Sequence, residues 1–272
     1  MNPPNRQEKG KSPVEESPTV RELKRSRYET EDYAERYDRR YGSGLNELNT
    51  LVERRWIVRH LKGALVLDAG AGTGRFTAFL ENQGNTVVAL DSSQAMLDAL
   101  REKAPRIPSV RSDIYGLPLS DNSFDAVVCM HVFFHLPDWP VVLAELGRVL
   151  KPGGTVFFEM RSGEHVRAAE KLLRAFRITL PSRGKADRSV ATVYASRAEV
   201  RRAMENAGLA DEKTLAYDLG HSYYLAPFAS LLEWLCVRFS WFRIAAGACE
   251  LALGPLLPDW LTYRTLYLAR KK

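Results

Sequence analysis

Between residues 68 and 91 two carboxylates flank three alternating glycines, a spacing suited to holding a small ligand at a strand-to-helix turn. Asp68 ends the apolar run Val66-Leu67, and Gly70, Gly72 and Gly74 follow at every second position. Glycine accepts positive φ and lets a ligand approach bare backbone, while the amino terminus of the next helix offers unpaired N–H groups. A dinucleotide fingerprint needs Gly-x-Gly-x-x-Gly. Here Arg75 stands where its third glycine would fall, and Asp68 would repel a pyrophosphate. The turn therefore suits a cationic ligand. Asp91 lies 21 positions beyond Gly70, at the end of the apolar run Thr86 to Leu90, where a carboxylate can accept both hydroxyls of a ribose.

These groups need a strand, a turn and a helix to position them. Val66 and Leu67 read as the tail of a buried strand, and Phe76, Phe79 and Leu80 begin a helical period. Upstream, Tyr33, Tyr37, Leu45, Leu48, Leu51, Val52, Trp56 and Val58 mark helical segments broken by Gly42 and Gly44. Downstream, strands and helices alternate through Glu159, the pattern of a parallel sheet with crossover helices. Ser196 to Gly208 reads as a capped helix ending in glycine, and Leu215-Ala216-Tyr217 and Thr262 to Ala269 supply the last two strands.

From the glycine turn onward the chain resembles the class I S-adenosylmethionine-dependent methyltransferases, motif by motif and in order. Asp68-Ala69-Gly70-Ala71-Gly72-Thr73-Gly74 is followed by Asp91-Ser92, then by Arg111-Ser112-Asp113-Ile114, similar to the family element whose acidic side chain and next N–H meet adenine. Leu117 to Cys129 resembles the run into the family's fourth strand, with His131 to Leu136 after it, and Leu150-Lys151-Pro152-Gly153-Gly154 resembles the turn before its fifth strand. Tyr33-Ala34-Glu35-Arg36-Tyr37-Asp38 is similar to the family's amino-terminal segment that closes over the cofactor.

The resemblance implies an α/β, Rossmann-like, seven-stranded and mostly parallel sheet with helices on both faces and the last strand antiparallel. It implies S-adenosylmethionine as cofactor, held by Asp68, Gly70, Gly72, Gly74, Asp91, Ser92, Asp113, Ile114 and Tyr37. It places His131 on the methyl-transfer side of the cleft, where an imidazole titrating near neutrality can act as base or simply line the pocket. His135 is similar to a structural histidine of the family. The expected activity is methyl transfer to a small, apolar or lipid-like acceptor, with O-methylation ahead of C- or N-methylation. A catalytically silent cofactor-fold protein and a nicotinamide-dependent oxidoreductase are the alternatives.

The rest of the chain bounds this reading. A length of 272 residues suits one large domain with additions. Residues 1–20 read as a disordered leader without the apolar core of a signal peptide, and 21–272 as the catalytic domain, with 21–62 a helical lid and 221–259 an apolar helical insertion. Cys129, Cys236 and Cys249 show neither metal-ligand spacing nor an even disulfide set, which points to a cytoplasmic setting without metal. The net charge is +6, and Arg161 to Arg202 holds eleven Lys or Arg against four Asp or Glu. That belt reads as solvated helix faces or an attractor of anions. Lacking interleaved aromatics, it does not suit nucleic acid. Nothing in the sequence sets the oligomeric state.

Leu225 to Pro258 is very apolar, yet Glu233, Arg238, Arg243 and Glu250 leave no charge-free run of about 18 residues, so it should not span a membrane. A helix opened by Pro227 places Glu233, Ser240, Gly247, Arg243, Gly254 and Glu250 in one arc of about 100°, with Arg238 opposite and a broad apolar face around the rest. That profile predicts the apolar face packed in protein. Core packing, a cap over the acceptor, and peripheral membrane or dimer contact all stay open.

Overall fold

The computed structural model describes residues 28–42, 44–175, 192–219, 221 and 229–272. Residues 1–20, residues 176–191 of the basic belt and the apolar start at Leu225 lie outside that set. Two helices, α1 (Glu31–Tyr41) and α2 (Gly44–Val58), precede a β/α alternation. Its strands are β1 (Leu65–Ala69), β2 (Thr86–Asp91), β3 (Ser109–Arg111), β4 (Phe124–Cys129), β5 (Leu150–Arg161), β6 (Leu209–Tyr217) and β7 (Arg264–Lys271). The helices between them are α3 (Thr77–Asn82), α4 (Gln94–Lys103), α5 (Trp139–Val149), α6 (Gly163–Ala175) and α7 (Arg197–Asn206), then α8 (Ala229–Arg238) and α9 (Ser240–Leu253).

The seven strands form one sheet in the order β3-β2-β1-β4-β5-β7-β6, and β7 alone runs antiparallel to its neighbours. The order reverses beside β1, so the carboxyl ends of β1 and β4 open a crevice of the kind where α/β sheets bind ligands. Val66, Ala126, Val128 and Phe157 face one helical layer, with α2 and α3, while Leu67, Val127, Val156 and Phe158 face the other, with α5 and α7. Burial on both faces explains why these strands read as continuous apolar runs.

Two boundaries differ from the sequence reading, and the Ser196 to Gly208 helix follows it. The Leu150–Gly154 segment is an irregularity inside β5, where pairing jumps from Phe124↔Leu150 to Ala126↔Thr155, with Gly153 at φ 77°. Strand β6 begins at Leu209, and its pairing with β7 shifts between Asp211 and Lys213. Ser196 caps α7 through a reciprocal box with Glu199, and Gly208 follows at φ 70°.

The insertion is two helices broken at Phe239, and its orientation reverses the expectation. The polar arc meets the protein: the Glu233 carboxylate accepts the Leu45 N–H at 2.9 Å, and Glu250 accepts the Leu219 N–H at 3.0 Å. Arg243 pairs with Glu47 at 3.0 Å, and Gly247 lies against Leu48, Leu51 and Val52. A carboxylate at the start of α2 complements that helix terminus, and a glycine at the contact lets α9 approach α2 closely. Leu231, Trp234, Val237, Trp241 and Ile244 point outward instead.

Candidate active site

The crevice at the carboxyl edge holds a cavity of about 590 Å³. Its floor is the turn after β1. There the Gly70 and Ala71 N–H groups donate to the Leu90 carbonyl at 2.7 and 2.9 Å, which turns the Gly72 N–H toward Asp91 Oδ2 at 2.8 Å. Asp91 Oδ1 accepts the Ser93 N–H at 2.9 Å. Burial pushes the Asp91 carboxyl up, opposed by these backbone donors. Gly70 sits at φ 79° with no room for a side chain, since a Cβ would stand 2.4 Å from Val132 Cγ2. Gly72, at φ 54°, has nothing within 4 Å of where a Cβ would be, so a side chain there would project into the cavity.

Of the residues the resemblance singled out, Gly70, Gly72, Asp91, Ser92, Asp113, Ile114, Tyr37 and His131 all line this cavity. Asp68 and Gly74 do not. Asp68 is buried, accepts the Thr77 hydroxyl at 2.6 Å, and is pushed up to about 7 by burial. Its side chain thus ties β1 to α3 beneath the turn. Gly74 at φ 84° fits against Leu100, where a Cβ would stand 2.9 Å from Cγ. Both shape the turn and lie outside the lining.

The cavity fits S-adenosylmethionine by its donor set. Asp91 and Ser92 stand beside the open cradle at Gly72, and Leu90, Met96 and Ile114 offer apolar walls next to Asp113. Carboxylate, bare glycine backbone and an apolar slot in one cleft suit ribose, amino-acid tail and adenine. Asp113 Oδ1 is partly engaged, accepting the Tyr115 N–H at 3.0 Å. The amino-terminal helices close the other side with Tyr28, Tyr33, Tyr37, Arg40 and Tyr41.

His131 stands just beyond β4 with a left-handed backbone, φ 62°. It is buried against a charged cluster that sequence reading missed. Arg264 Nη1 donates to His131 Nδ1 at 2.9 Å, and since the guanidinium has no acceptor, Nδ1 is the accepting nitrogen. The proton of the neutral ring then sits on Nε2, which donates to Glu53 Oε1 at 2.8 Å. Glu53 also accepts the Tyr217 hydroxyl at 2.6 Å and faces Arg75 at 3.9 Å. Arg264 pairs with Asp218 at 2.7 Å and with Glu159 at 3.7 Å. Burial, then Arg75, hold the imidazole well below its usual range, so it stays neutral. Against burial, Glu159 and Asp218 hold Arg264 charged. Both His131 nitrogens are engaged, leaving neither free for a substrate proton.

Arg161, at the end of β5 and the start of the basic belt, lines the cavity. Its guanidinium lies 3.7 Å from the Phe134 ring centre and 5.4 Å from that of Tyr263, and Nη1 donates to Thr192 Oγ1 at 3.3 Å. Aromatic stacking holds it flat at the wall. His135 Nε2 lies 3.0 Å from the Tyr28 hydroxyl, linking the turn after β4 to the amino-terminal segment.

Known proteins match the segment that carries the glycine turn, Asp91, Asp113 and His131. Residues 67–158 match the family described as a methyltransferase domain. The chain is 43% identical over 89 residues to an uncharacterized methyltransferase of Mycobacterium tuberculosis, covering 33% of this chain and 36% of that one. It is 38% identical over 96 residues to the malonyl-[acyl-carrier protein] O-methyltransferase of Serratia marcescens, covering 35% and 38%. A demethylmenaquinone methyltransferase of Renibacterium salmoninarum is 39% identical over 107 residues, covering 37% and 45%. The chain thus spans well under half the length of these curated relatives. Among solved structures, magnesium protoporphyrin IX methyltransferase of Synechocystis with bound SAH superposes with TM-score 0.59 at 15% identity, covering 92% and 99%. A TehB-like methyltransferase of Corynebacterium glutamicum gives 0.56 at 18%, covering 89% and 100%. The central segment is thus similar to a methyltransferase domain, and the chain as a whole shares the fold of methyltransferases of known structure.

Proposed function

We propose that the chain transfers a methyl group from S-adenosylmethionine to an acidic oxygen on a small, apolar-bodied or lipid-like acceptor. The observation that carries this reading is the continuity of one cavity from the Gly72 and Asp91 cradle to the stacked guanidinium of Arg161. The cofactor supplies an already activated methyl group. Asp91 and Ser92 would hold its ribose, Asp113 and Ile114 its base, and the Gly70 to Gly72 backbone its tail. Tyr33, Tyr37 and Tyr41 roof the cleft, and excluding water while aligning the reactants can supply about 7–11 kcal/mol of the barrier reduction. Arg161 would receive the acceptor's oxygen as the anion. An oxygen bound already ionised needs no base, which accords with a neutral His131 committed on both nitrogens. His131 then acts as a positioning residue, tying α2, β4 and β7 together behind the cavity wall. The relative named a malonyl-[acyl-carrier protein] O-methyltransferase supports an oxygen acceptor.

The test is release of S-adenosylhomocysteine during incubation with a panel of apolar carboxylic acids, their amides and the corresponding alcohols. Turnover should be confined to the acids, and Arg161→Met should raise KM for them far more than it weakens S-adenosylhomocysteine binding. Preference for the amides or alcohols would overturn the acidic-oxygen reading. Absence of turnover across the panel and a lipid extract, with cofactor bound, would favour a silent binding protein. A thermal shift with NAD and none with S-adenosylmethionine would favour the oxidoreductase.

A further inference from the structure

Eight of the ten exposed large apolar side chains among the described residues lie between positions 231 and 260. Trp241 is 66% exposed, Trp234 54% and Leu256 80%. None of the described residues of α8 or α9 lines the active-site cavity. Nor is the outward face available for the core, because the opposite face is tied down by Glu233, Arg243 and Glu250. With those three turned inward, Arg238 is the remaining charge of the two helices, and it is exposed.

We propose that α8 and α9 form a docking surface for an anionic phospholipid bilayer, with Trp234 and Trp241 entering the interfacial layer and Arg238 meeting lipid phosphate. Charge decides the occupant. A second copy docking on the same face would bury Arg238 with no carboxylate of α8 or α9 to pair it, since both glutamates of these helices point into their own protein. A lipid phosphate supplies that anion, and the arginine stem can keep its head at the headgroup level. Tryptophan favours the same layer, where its ring is buried and its N–H stays wet. Helices of 10 and 14 residues lie in the interface, since about 20 apolar residues are needed to cross, and no helix among the described residues is long and apolar enough to do so.

The surface is also well placed. The hairpin leaves the sheet after Tyr217 and returns at Arg264, and those residues align with each other and with Arg161 in the register at the cavity edge. The two helices are thus joined to the sheet at its cavity end. The inference goes beyond methyl transfer and does not depend on it, because binding is read without turnover.

The experiment is co-sedimentation of the full chain with vesicles of phosphatidylcholine alone and of phosphatidylcholine mixed with phosphatidylglycerol, with tryptophan emission recorded in parallel. Wild type should pellet with the mixed vesicles, shift its emission to the blue, and be partly released by salt. Trp234→Ser/Trp241→Ser should weaken vesicle binding about tenfold or more, with S-adenosylhomocysteine affinity unchanged as a measure of folding. Arg238→Glu should lose the preference for phosphatidylglycerol. If the double tryptophan variant fails to fold, Leu256→Ser with Arg238→Glu takes its place. Three results would overturn the proposal: wild type remaining in the supernatant with both vesicles, equal binding to neutral and anionic vesicles, or a concentration-dependent dimer dissolved by Trp241→Ser without vesicle binding.

Discussion

Replacing Asp91 with alanine should do two separable things, because its carboxylate serves the protein before it serves a ligand. Its two oxygens hold the Gly72 N–H at 2.8 Å and the Ser93 N–H at 2.9 Å, so one side chain fastens the end of β2 to the glycine turn. Hydrogen bonds to a charged group contribute about 1.5–3 kcal/mol each. Losing both should lower the stability of the ligand-free protein by about 2–4 kcal/mol, below the simple sum because water can reach the cavity side of Gly72. Losing the ribose acceptor should weaken S-adenosylhomocysteine by about tenfold to several hundredfold. Calorimetric titration with S-adenosylhomocysteine and with its 2′,3′-dideoxy analogue separates the effects, since only the first can use the carboxylate. Wild type should discriminate strongly between the two, Asp91→Ala hardly at all, and Asp91→Asn in between. Urea denaturation of each ligand-free protein supplies the stability term. An equal loss of affinity for both ligands in Asp91→Ala would refute ribose recognition and leave Asp91 only its role in the turn.

Gly72→Val should fold with a modest loss of stability from the φ of 54°, yet lose measurable S-adenosylhomocysteine binding in the same titration; unchanged affinity would remove the turn from the site. His131→Asn, which tolerates left-handed backbone and can donate to Glu53 and accept from Arg264, should keep turnover and its pH profile, whereas His131→Ala should destabilise by about 3 kcal/mol or more. A catalytic base would be exposed by loss of the acidic limb of the pH–rate profile in the asparagine variant. Burial first, then Asp218, raise Glu250 from an ordinary 4.5 to about 7, so the folded state holds a proton that the unfolded chain releases. Its stabilising share is therefore present below the unfolded value and fades as pH rises through the folded one; relative to Glu250→Gln, wild type should lose about 3 kcal/mol between roughly pH 4.5 and 8 by denaturant titration, and parallel profiles would contradict this.

The glycine turn, the carboxylate at the end of β2 and the alternation of strands and helices were legible because each is local: a run of apolar residues, a change of period and a turn residue within a few positions. The hairpin was legible as an amphipathic pattern but not in its orientation. A helical projection finds the arc shared by Glu233, Gly247 and Glu250, yet the groups that draw it inward, the N–H of Leu45 and of Leu219, belong to other elements. The sequence does not reveal that Asp68 accepts the Thr77 hydroxyl of α3. The charged cluster had signals that went unread. Glu53 continues the buried stripe of Leu45, Asn49 and Trp56, and Glu159 interrupts the apolar run Val156 to Met160 in a strand covered on both faces. A carboxylate in either place needs a buried cation, and Arg264 opens the next strand in the sheet order.

The left-handed backbone at His131 bears on how this protein can change over evolutionary time. Most side chains are disfavoured at a φ of 62°, and glycine or asparagine would sit there with less strain. Histidine is held at that position because its two nitrogens are engaged from opposite directions, by partners 78 positions before it and 133 positions after it. A drift at any one of the three strands a buried charge in the other two. Residues 53, 131 and 264 should therefore vary together among descendants of this chain or not vary at all, and a lineage replacing the histidine by asparagine should keep both its acid and its arginine.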